Sequence, residues 1–416
     1  MKILLINKWV AGATRGPFYY PGTWRDTFEL ACALCDLGNR VEILTTKVQE
    51  HHFKRYQKEF GKILTQKGIK HHFANTYVSF GKNFGNFRLR MFLDEFSVIR
   101  NSKPDIIQYM QFGPSLIYPL VRKTPIIFYS CDQFNHYPKE EEDSQNALKS
   151  WGNLGGFIPW TIFQNLLFIS LAKLWGSLGL KDALIRNAIF ILMHPKGYKN
   201  LKKKFGSRSK IFFVPKGVNK NIAQSIQQRG NDQIRVLFVG TTINRKGIFD
   251  LLEAVKIVQN KNPNVELLIA GTGPGIAVAK LKRQIADLNL NARYLGPISF
   301  TKRWSILGKS DIFCLPSYQD AYPSAILEAM ASGVPVISTR EIDSPIIDGV
   351  SGILVKAGDA KSLAAAIEKL INDPNLRERI GQSGKKAVES LAWSKQAPKL
   401  INLYESFLSI ESELIK

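Results

Sequence analysis

Residues 311–338, DIFCLPSYQDAYPSAILEAMASGVPVIS, constrain the fold more than any other stretch of the chain. The apolar run Ile312 to Leu315 reads as a buried parallel strand, because a strand covered on both faces is hydrophobic throughout rather than alternating. Pro316 and Ser317 stop it, and Tyr318 to Pro323 form a polar loop. Pro323 and Ser324 suit the start of a helix, since proline in the first turn gives up no needed N–H. AILEAMAS continues that helix, Gly333 closes it, and VPVIS is the next buried strand. The pattern predicts a βαβ unit with a loop at the carboxyl end of its first strand. Open α/β sheets bind ligands at that end.

Two carboxylates sit in this unit, Asp320 in the loop and Glu328 inside the helix. One charge on an otherwise apolar helix is ordinarily a solvated face. Here both flanking strands are apolar and the helix is rich in small residues, which predicts close packing around it. A carboxylate in such a place needs a partner, because burying it alone is costly. The hydroxyl groups of a ligand would provide one.

At these residues the chain resembles glycosyltransferase family 4, a group of retaining, nucleotide-sugar-dependent enzymes of GT-B fold. The family's pattern sets two glutamates, with seven residues between them, in a PS-x-x-E-G-x-P and EAMA-x-G-x-PV frame. Here the frame reads PSYQDAYPSAILEAMASGVPV, with Asp320 in the first acidic place and Glu328 in the second. The resemblance implies that Asp320 faces the donor sugar and Glu328 the ribose hydroxyls, with Ala321, Tyr322, Pro323 and Ser324 lining the donor site. Asp320 is a methylene shorter than the usual Glu, and Ala321 replaces the usual Gly.

The length of 416 residues allows two domains of ordinary size, each with its own core. Hydrophobic content of 45% and charged content of 22% describe a globular protein. Cys32 and Cys35 fall inside the helical pattern FELACALCDLG, which favours packed thiols over a redox motif and fits a reducing compartment. MKILLINKW runs straight into strand, with no signal-peptide cleavage site. The net charge of +23 fits nucleic acid, an anionic membrane surface or anionic substrates. No helix-turn-helix, zinc finger or RNP-like pattern accompanies it, which argues against nucleic acid.

Taken in order, KILLIN opens the first domain and a Gly- and Pro-bearing loop follows, without the G-x-G-x-x-G of a dinucleotide fingerprint. By the resemblance this loop lies near sugar and acceptor, which makes Gly22 a candidate contact; a plain loop glycine reads equally well. Strands are predicted at 105–110 and 125–130. After the second, many relatives carry a His-Asp pair, whereas Cys131 and Asp132 stand here with His136 nearby. Asp132 and His136 are therefore candidate sugar or acceptor contacts.

Residues 154–180 carry one charge, Lys173, and recurrent aromatics including Trp160 and Trp175. They are long enough to span a bilayer, yet Gly155, Gly156, Pro159, Gln164, Asn165 and Lys173 favour helices lying at the membrane interface. A buried helical part of the domain or an oligomer contact is the alternative. From Lys196 to Lys216 eight basic residues occur with no acidic one, as an anionic membrane surface would attract. IFFVPKGVN resembles the family's end-of-domain strand and loop, with Lys216 and Asn219 in the places of the usual Asn and Asp. Residues 219–233 read as the linker.

The second domain opens with IRVLFVG, then TTINRKG leads into a helix. The family places an Arg after that Gly and a Lys-Gly further on, both facing the donor diphosphate. Thr241 takes the Arg place, Lys246 and Gly247 match, and Arg245 adds an adjacent charge. Cations at a helix N-terminus do not help the helix itself, which favours an anion-binding role. Gly271 and Gly273, in the turn after VELLIA, match the family's G-x-G-P and complete the expected donor site.

The reading is a GT-B chain: an acceptor-side domain at 1–218, a linker at 219–233, a donor domain at 234–395, and a C-terminal helix at 396–416 packing back on the first domain. It implies retaining transfer of a hexose from a nucleotide sugar to a glycan or lipid-linked acceptor, as in polysaccharide biosynthesis. Lys246, Arg245, Asp320 and Glu328 are the expected catalytic residues. No D-x-D occurs, and neither metal nor cofactor is expected besides the nucleotide-sugar co-substrate. The expected location is the cytoplasmic face of a membrane, held peripherally. The alternatives are a non-catalytic membrane-associated scaffold and a sugar-nucleotide epimerase or hydrolase on the same fold.

Overall fold

The structure is a computed structural model, and it describes residues 1–7, 22–75, 84–110, 124–130, 189–205, 210–219 and 233–414. Two parallel sheets organise it. The first holds β1 (Lys2–Ile6), β2 (Arg40–Thr45), β3 (Lys70–Phe73), β4 (Ile106–Tyr109), β5 (Ile126–Ser130), β6 (Ile189–Leu192) and β7 (Lys210–Phe213), in the order β3-β2-β1-β4-β5-β6-β7. The second holds β8 (Ile234–Val239), β9 (Val265–Ala270), β10 (Ala292–Gly296), β11 (Ile312–Leu315), β12 (Val336–Thr339) and β13 (Ile353–Val355), in the order β10-β9-β8-β11-β12-β13.

Both orders reverse beside the first strand of their sheet. The loops after β8 and β11 therefore leave in opposite directions and open a crevice at the carboxyl ends of the strands. The strands are apolar on both faces because helices cover both. In β1, Ile3 and Leu5 enter one core while Leu4 and Ile6 enter another, the period of two that a strand imposes.

Helix Trp393–Leu414 follows the second domain in sequence but packs on the first: Trp393, Ala397, Leu400, Tyr404 and Phe407 complete its core. Phe300, at the start of helix Phe300–Leu307, enters the same core and meets Phe28 edge-on at 5.8 Å. Cys32 and Cys35 are unpaired thiols packed at the edge of this core, and burial pushes Cys32 up to about 12. Among the described residues, no helix is long and apolar enough to cross a membrane. The stretch 154–180 lies outside them.

Candidate functional site

At the crevice the loops after β8 and β11 are in direct contact. Residues Asn244–Lys246 form a single 3-10 turn, and Gly247 follows with φ of 67°. A methyl group at Gly247 would lie 1.9 Å from the Pro316 carbonyl oxygen, so only glycine lets the two loops approach this closely. Tyr318 N–H donates to Arg245 O at 2.9 Å, and the Arg245 guanidinium donates to Gln319 O at 2.9 Å. Lys246 Nζ forms an ion pair with Asp320 Oδ2, both side chains being about six-sevenths buried. The two candidate groups thus meet each other across the crevice.

Gly271, with φ of 145°, lies where a methyl group would come within 1.7 Å of Gly240 O. A methyl group on Gly273 would lie 2.5 Å from Thr242 Oγ1. These glycines let the turn after β9 pack on the loop after β8, next to Thr241; that packing is reason enough for both.

Helix Ser324–Ala331 starts at the crevice, with Pro323 as its N-cap residue. Glu328 is buried one turn in, and its partners come from two directions. Arg25 Nη1, on helix Gly22–Asp36 of the first domain, lies 2.7 Å from Glu328 Oε1. Arg303 Nη1 donates to Oε1 at 3.1 Å and to Oε2 at 3.3 Å. Nearby, Ser324 Oγ donates to Asp26 Oδ1 at 3.2 Å, and Lys216 Nζ lies 2.7 Å from Asp26 Oδ2. Burial works against the Arg25 charge, but Glu328, Asp26 and Glu29 outweigh it and raise its pKa. Burial, reinforced by the Arg25 charge, lowers the pKa of Arg303 despite Glu328. A guanidinium stays charged regardless.

The arrangement offers a cation at the start of a helix with the Asp320 carboxylate beside it, at the carboxyl ends of β8 and β11. Such a set can hold an anionic diphosphate and accept hydrogen bonds from sugar hydroxyls. Among the described residues, no group of three or more His, Cys, Asp or Glu side chains could hold a metal ion. Residues 219–387 match the family model described as glycosyl transferases group 1. Over that segment the chain is similar to the group 1 glycosyl transferases.

Curated relatives agree with that likeness. The chain is 34% identical over 220 residues to the capsular polysaccharide biosynthesis glycosyltransferase CapM of Staphylococcus aureus, covering 50% of this chain and 56% of that one. It is 31% identical to the phosphatidyl-myo-inositol mannosyltransferase of Mycobacterium leprae, over 48% and 55% of the two chains. The matches span about half the length of these relatives. Across the whole chain, the structure of Anabaena HepE in complex with UDP-glucose superposes with a TM-score of 0.68 at 16% identity, covering 98% of this chain and 100% of that one. The fold is GT-B, as the two doubly wound sheets and this likeness together show.

Within the matched segment, Lys246, Arg245, Thr241, Gly271, Gly273, Asp320, Ala321, Tyr322, Pro323 and Ser324 all fall at the carboxyl ends of β8, β9 and β11 or on the helix that follows β11. Gly22 opens helix Gly22–Asp36. Cys131, Asp132 and His136 lie outside the described residues. One inference drawn from the sequence needs correction. Burial of Glu328 does not by itself call for a ligand, because Arg25 and Arg303 already satisfy it.

Sequence reasoning missed Arg25, Asp26 and Arg303 altogether and read Lys216 as the end of the basic run and as a departure from the family. Arg303 carried a signal: in FTKRWSIL it shares the buried face of Phe300, Trp304 and Leu307 at helical spacing. Arg25 carried none, since its partner is in the other domain.

Glu29 adds a pH dependence to this interface. It accepts from Trp393 Nε1 at 2.9 Å and faces Arg25, Asp26 and Glu328. Burial, reinforced by Glu328 and Asp26, pushes it from the ordinary 4.5 to about 7 despite Arg25 and Trp393. The folded chain holds this proton to about pH 7 while the unfolded chain releases it near 4.5, so stability falls as pH rises through that window and levels off above it. Glu29→Gln removes the titration. Between pH 4.5 and 7.5 the parent should lose on the order of 2–3 kcal/mol relative to the variant in denaturant titrations. Parallel stability profiles would contradict the assignment.

Proposed function

We propose that this chain is a retaining hexosyltransferase that moves a sugar from a nucleotide-sugar donor to a hydroxyl of a glycan or lipid-linked acceptor. The observation that carries this is the contact of Lys246 with Asp320 across the strand-end crevice of the segment similar to group 1 glycosyl transferases. Asp320 balances the Lys246 charge. A bound diphosphate would take over that cation and leave the Asp320 carboxylate to accept from the donor sugar. As the glycosidic bond breaks, negative charge grows on the leaving diphosphate, and Lys246, with Arg245 beside it, would stabilise it. Glu328 would accept from the ribose. The named relatives act in capsule and phosphatidylinositol mannoside synthesis, which supports an envelope glycan as the acceptor class.

A thermal-shift screen of nucleotide sugars, followed by release of nucleoside diphosphate from each hit, tests this reading. A donor at a hundred times its Kd stabilises by about 2.7 kcal/mol, well within detection. A screen in which no nucleotide sugar raises Tm would overturn the proposal. Release that never leads to a glycosylated product with capsular or phosphatidylinositol acceptors would favour a hydrolase instead.

The acceptor side suggests attachment to an anionic membrane on its cytoplasmic face. Helix Pro195–Phe205 carries Lys196, Lys199, Lys202 and Lys203 without an acidic residue, while Leu201 is buried beneath it. Each exposed cation adds about 1 kcal/mol of attraction to an anionic surface. Vesicles containing phosphatidylglycerol should therefore pull the protein down better than neutral ones, and 1 M salt, with a Debye length of ~3 Å, should weaken that. Changing Trp160 and Trp175 to Ser should release what remains. Equal recovery with anionic and neutral vesicles would refute the attachment.

A further inference from the structure

The first domain also touches the second at a point separate from Glu328. His194 follows β6 and is completely buried, with Nδ1 lying 2.9 Å from Asp343 Oδ2 in the loop after β12. Gly197 N also lies 3.0 Å from Nδ1; because the Asp343 carboxylate only accepts, the proton is assigned to Nδ1, and the Gly197 N–H does not then donate to it. The same oxygen accepts from Lys196 N–H at 3.0 Å. Burial raises the Asp343 pKa, but His194 and the Lys196 N–H outweigh that and hold it below the ordinary aspartate value. Gly197 makes room for the imidazole, since a methyl group there would lie 2.5 Å from the ring. Nε2 finds no hydrogen-bond partner among the described residues, a cost that the bond to Asp343 must offset.

Asp343 in turn clamps the loop after β11. Its carbonyl accepts from Tyr322 N–H at 3.0 Å, its own N–H donates to Asp320 O at 3.3 Å, and Ala321 pairs with it in a parallel bridge. Tyr322 has φ of 54°, a left-handed conformation that a residue with a side chain keeps only when its surroundings hold it. Asp320, two residues earlier, carries the carboxylate paired with Lys246.

We propose that His194 is a positioning residue: by donating to Asp343 it fixes the Asp320–Tyr322 segment, and through Asp320 the Lys246 cation, in register with the first domain. The consequence for the reaction rests on the donor-site reading above; the clamp itself does not. His194 touches none of the reacting groups. Its role is to make the shape of the donor loop depend on the acceptor-side domain being in place.

Hydrogen exchange followed by mass spectrometry, on the full chain without ligand, tests the clamp directly. His194→Ala should speed exchange at the Tyr322 amide about tenfold or more, while β8 and β9 stay as protected as in the parent. His194→Asn, which keeps an N–H near the position of Nδ1, should restore protection. Should His194→Ala fail to fold, Asp343→Asn weakens the same bond from the other side and should give the same local change. Calorimetry with UDP and GDP then reads the consequence: the affinity lost in His194→Ala should shrink when Lys246 is already Ala. An unchanged 318–324 peptide in His194→Ala would overturn the proposal. So would exchange raised equally throughout the second domain and not rescued by Asn, which is the signature of lost packing alone. A local increase rescued by Asn, with parent protein that binds neither UDP nor GDP, supports the clamp and counts against the donor-site reading.

Discussion

Glu328→Gln is expected to weaken nucleotide binding at least tenfold and to destabilise the fold at the same time. The substitution keeps the shape but removes the charge that Arg25 and Arg303 share. It also turns an amide N–H toward one of two guanidinium groups that can only donate. Removing one partner of a buried ion pair costs roughly 3–5 kcal/mol, because the remaining charge is left buried and unbalanced. For a domain of ordinary size that corresponds to a fall in Tm of roughly 6–20 °C. The binding loss, from on the order of 1.5–3 kcal/mol for a charge-assisted bond to the ribose, is a separate quantity. It is read by calorimetry well below the lowered Tm. Parental Tm would contradict the ion-pair geometry, whereas parental affinity with lowered Tm would make Glu328 a purely structural residue of the interface.

Lys246→Ala is expected to lower kcat by roughly a hundredfold, with a smaller effect on KM for donor. The distinction follows from where the charge appears. Diphosphate oxygens carry more charge as the sugar departs than in the bound ground state, so a cation beside them acts mostly on the transition state. Arg245→Ala should be milder, since its guanidinium is already committed to the Gln319 carbonyl. Steady-state kinetics on the donor identified by screening decides between them. A loss in Arg245→Ala far exceeding that in Lys246→Ala would reverse the two roles.

Much of the fold is legible in the sequence because parallel strands are buried on both faces. IRVLFV, VELLIA and IFCL can hardly be anything else once the βαβ spacing is seen. β3 was not legible. It reads KHHF, at the edge of its sheet, with His71 stacked on Trp24 at 5.3 Å and His72 paired to Glu42 at 2.7 Å. Those partners are long-range, and no local pattern announces them. The same divide runs through the site. Asp320, Glu328, Lys246 and the turn glycines stand in fixed frames within one domain, so matching those frames to the family's pattern points to them. Arg25, Lys216 and His194 belong to the first domain and reach the site only through tertiary contact. Each is a buried polar group whose purpose appears only when its partner, Glu328, Asp26 or Asp343, is brought beside it.

The proposed function puts the nucleotide-sugar donor between the loops after β8 and β11. Calorimetric titration of UDP, GDP and their hexose conjugates into the parent protein, Lys246→Ala and Glu328→Gln measures it most directly. Saturable binding of at least one of these ligands at a single site is expected in the parent, weakened in both variants. Absence of binding by the parent, or equal affinity in all three proteins, would contradict it.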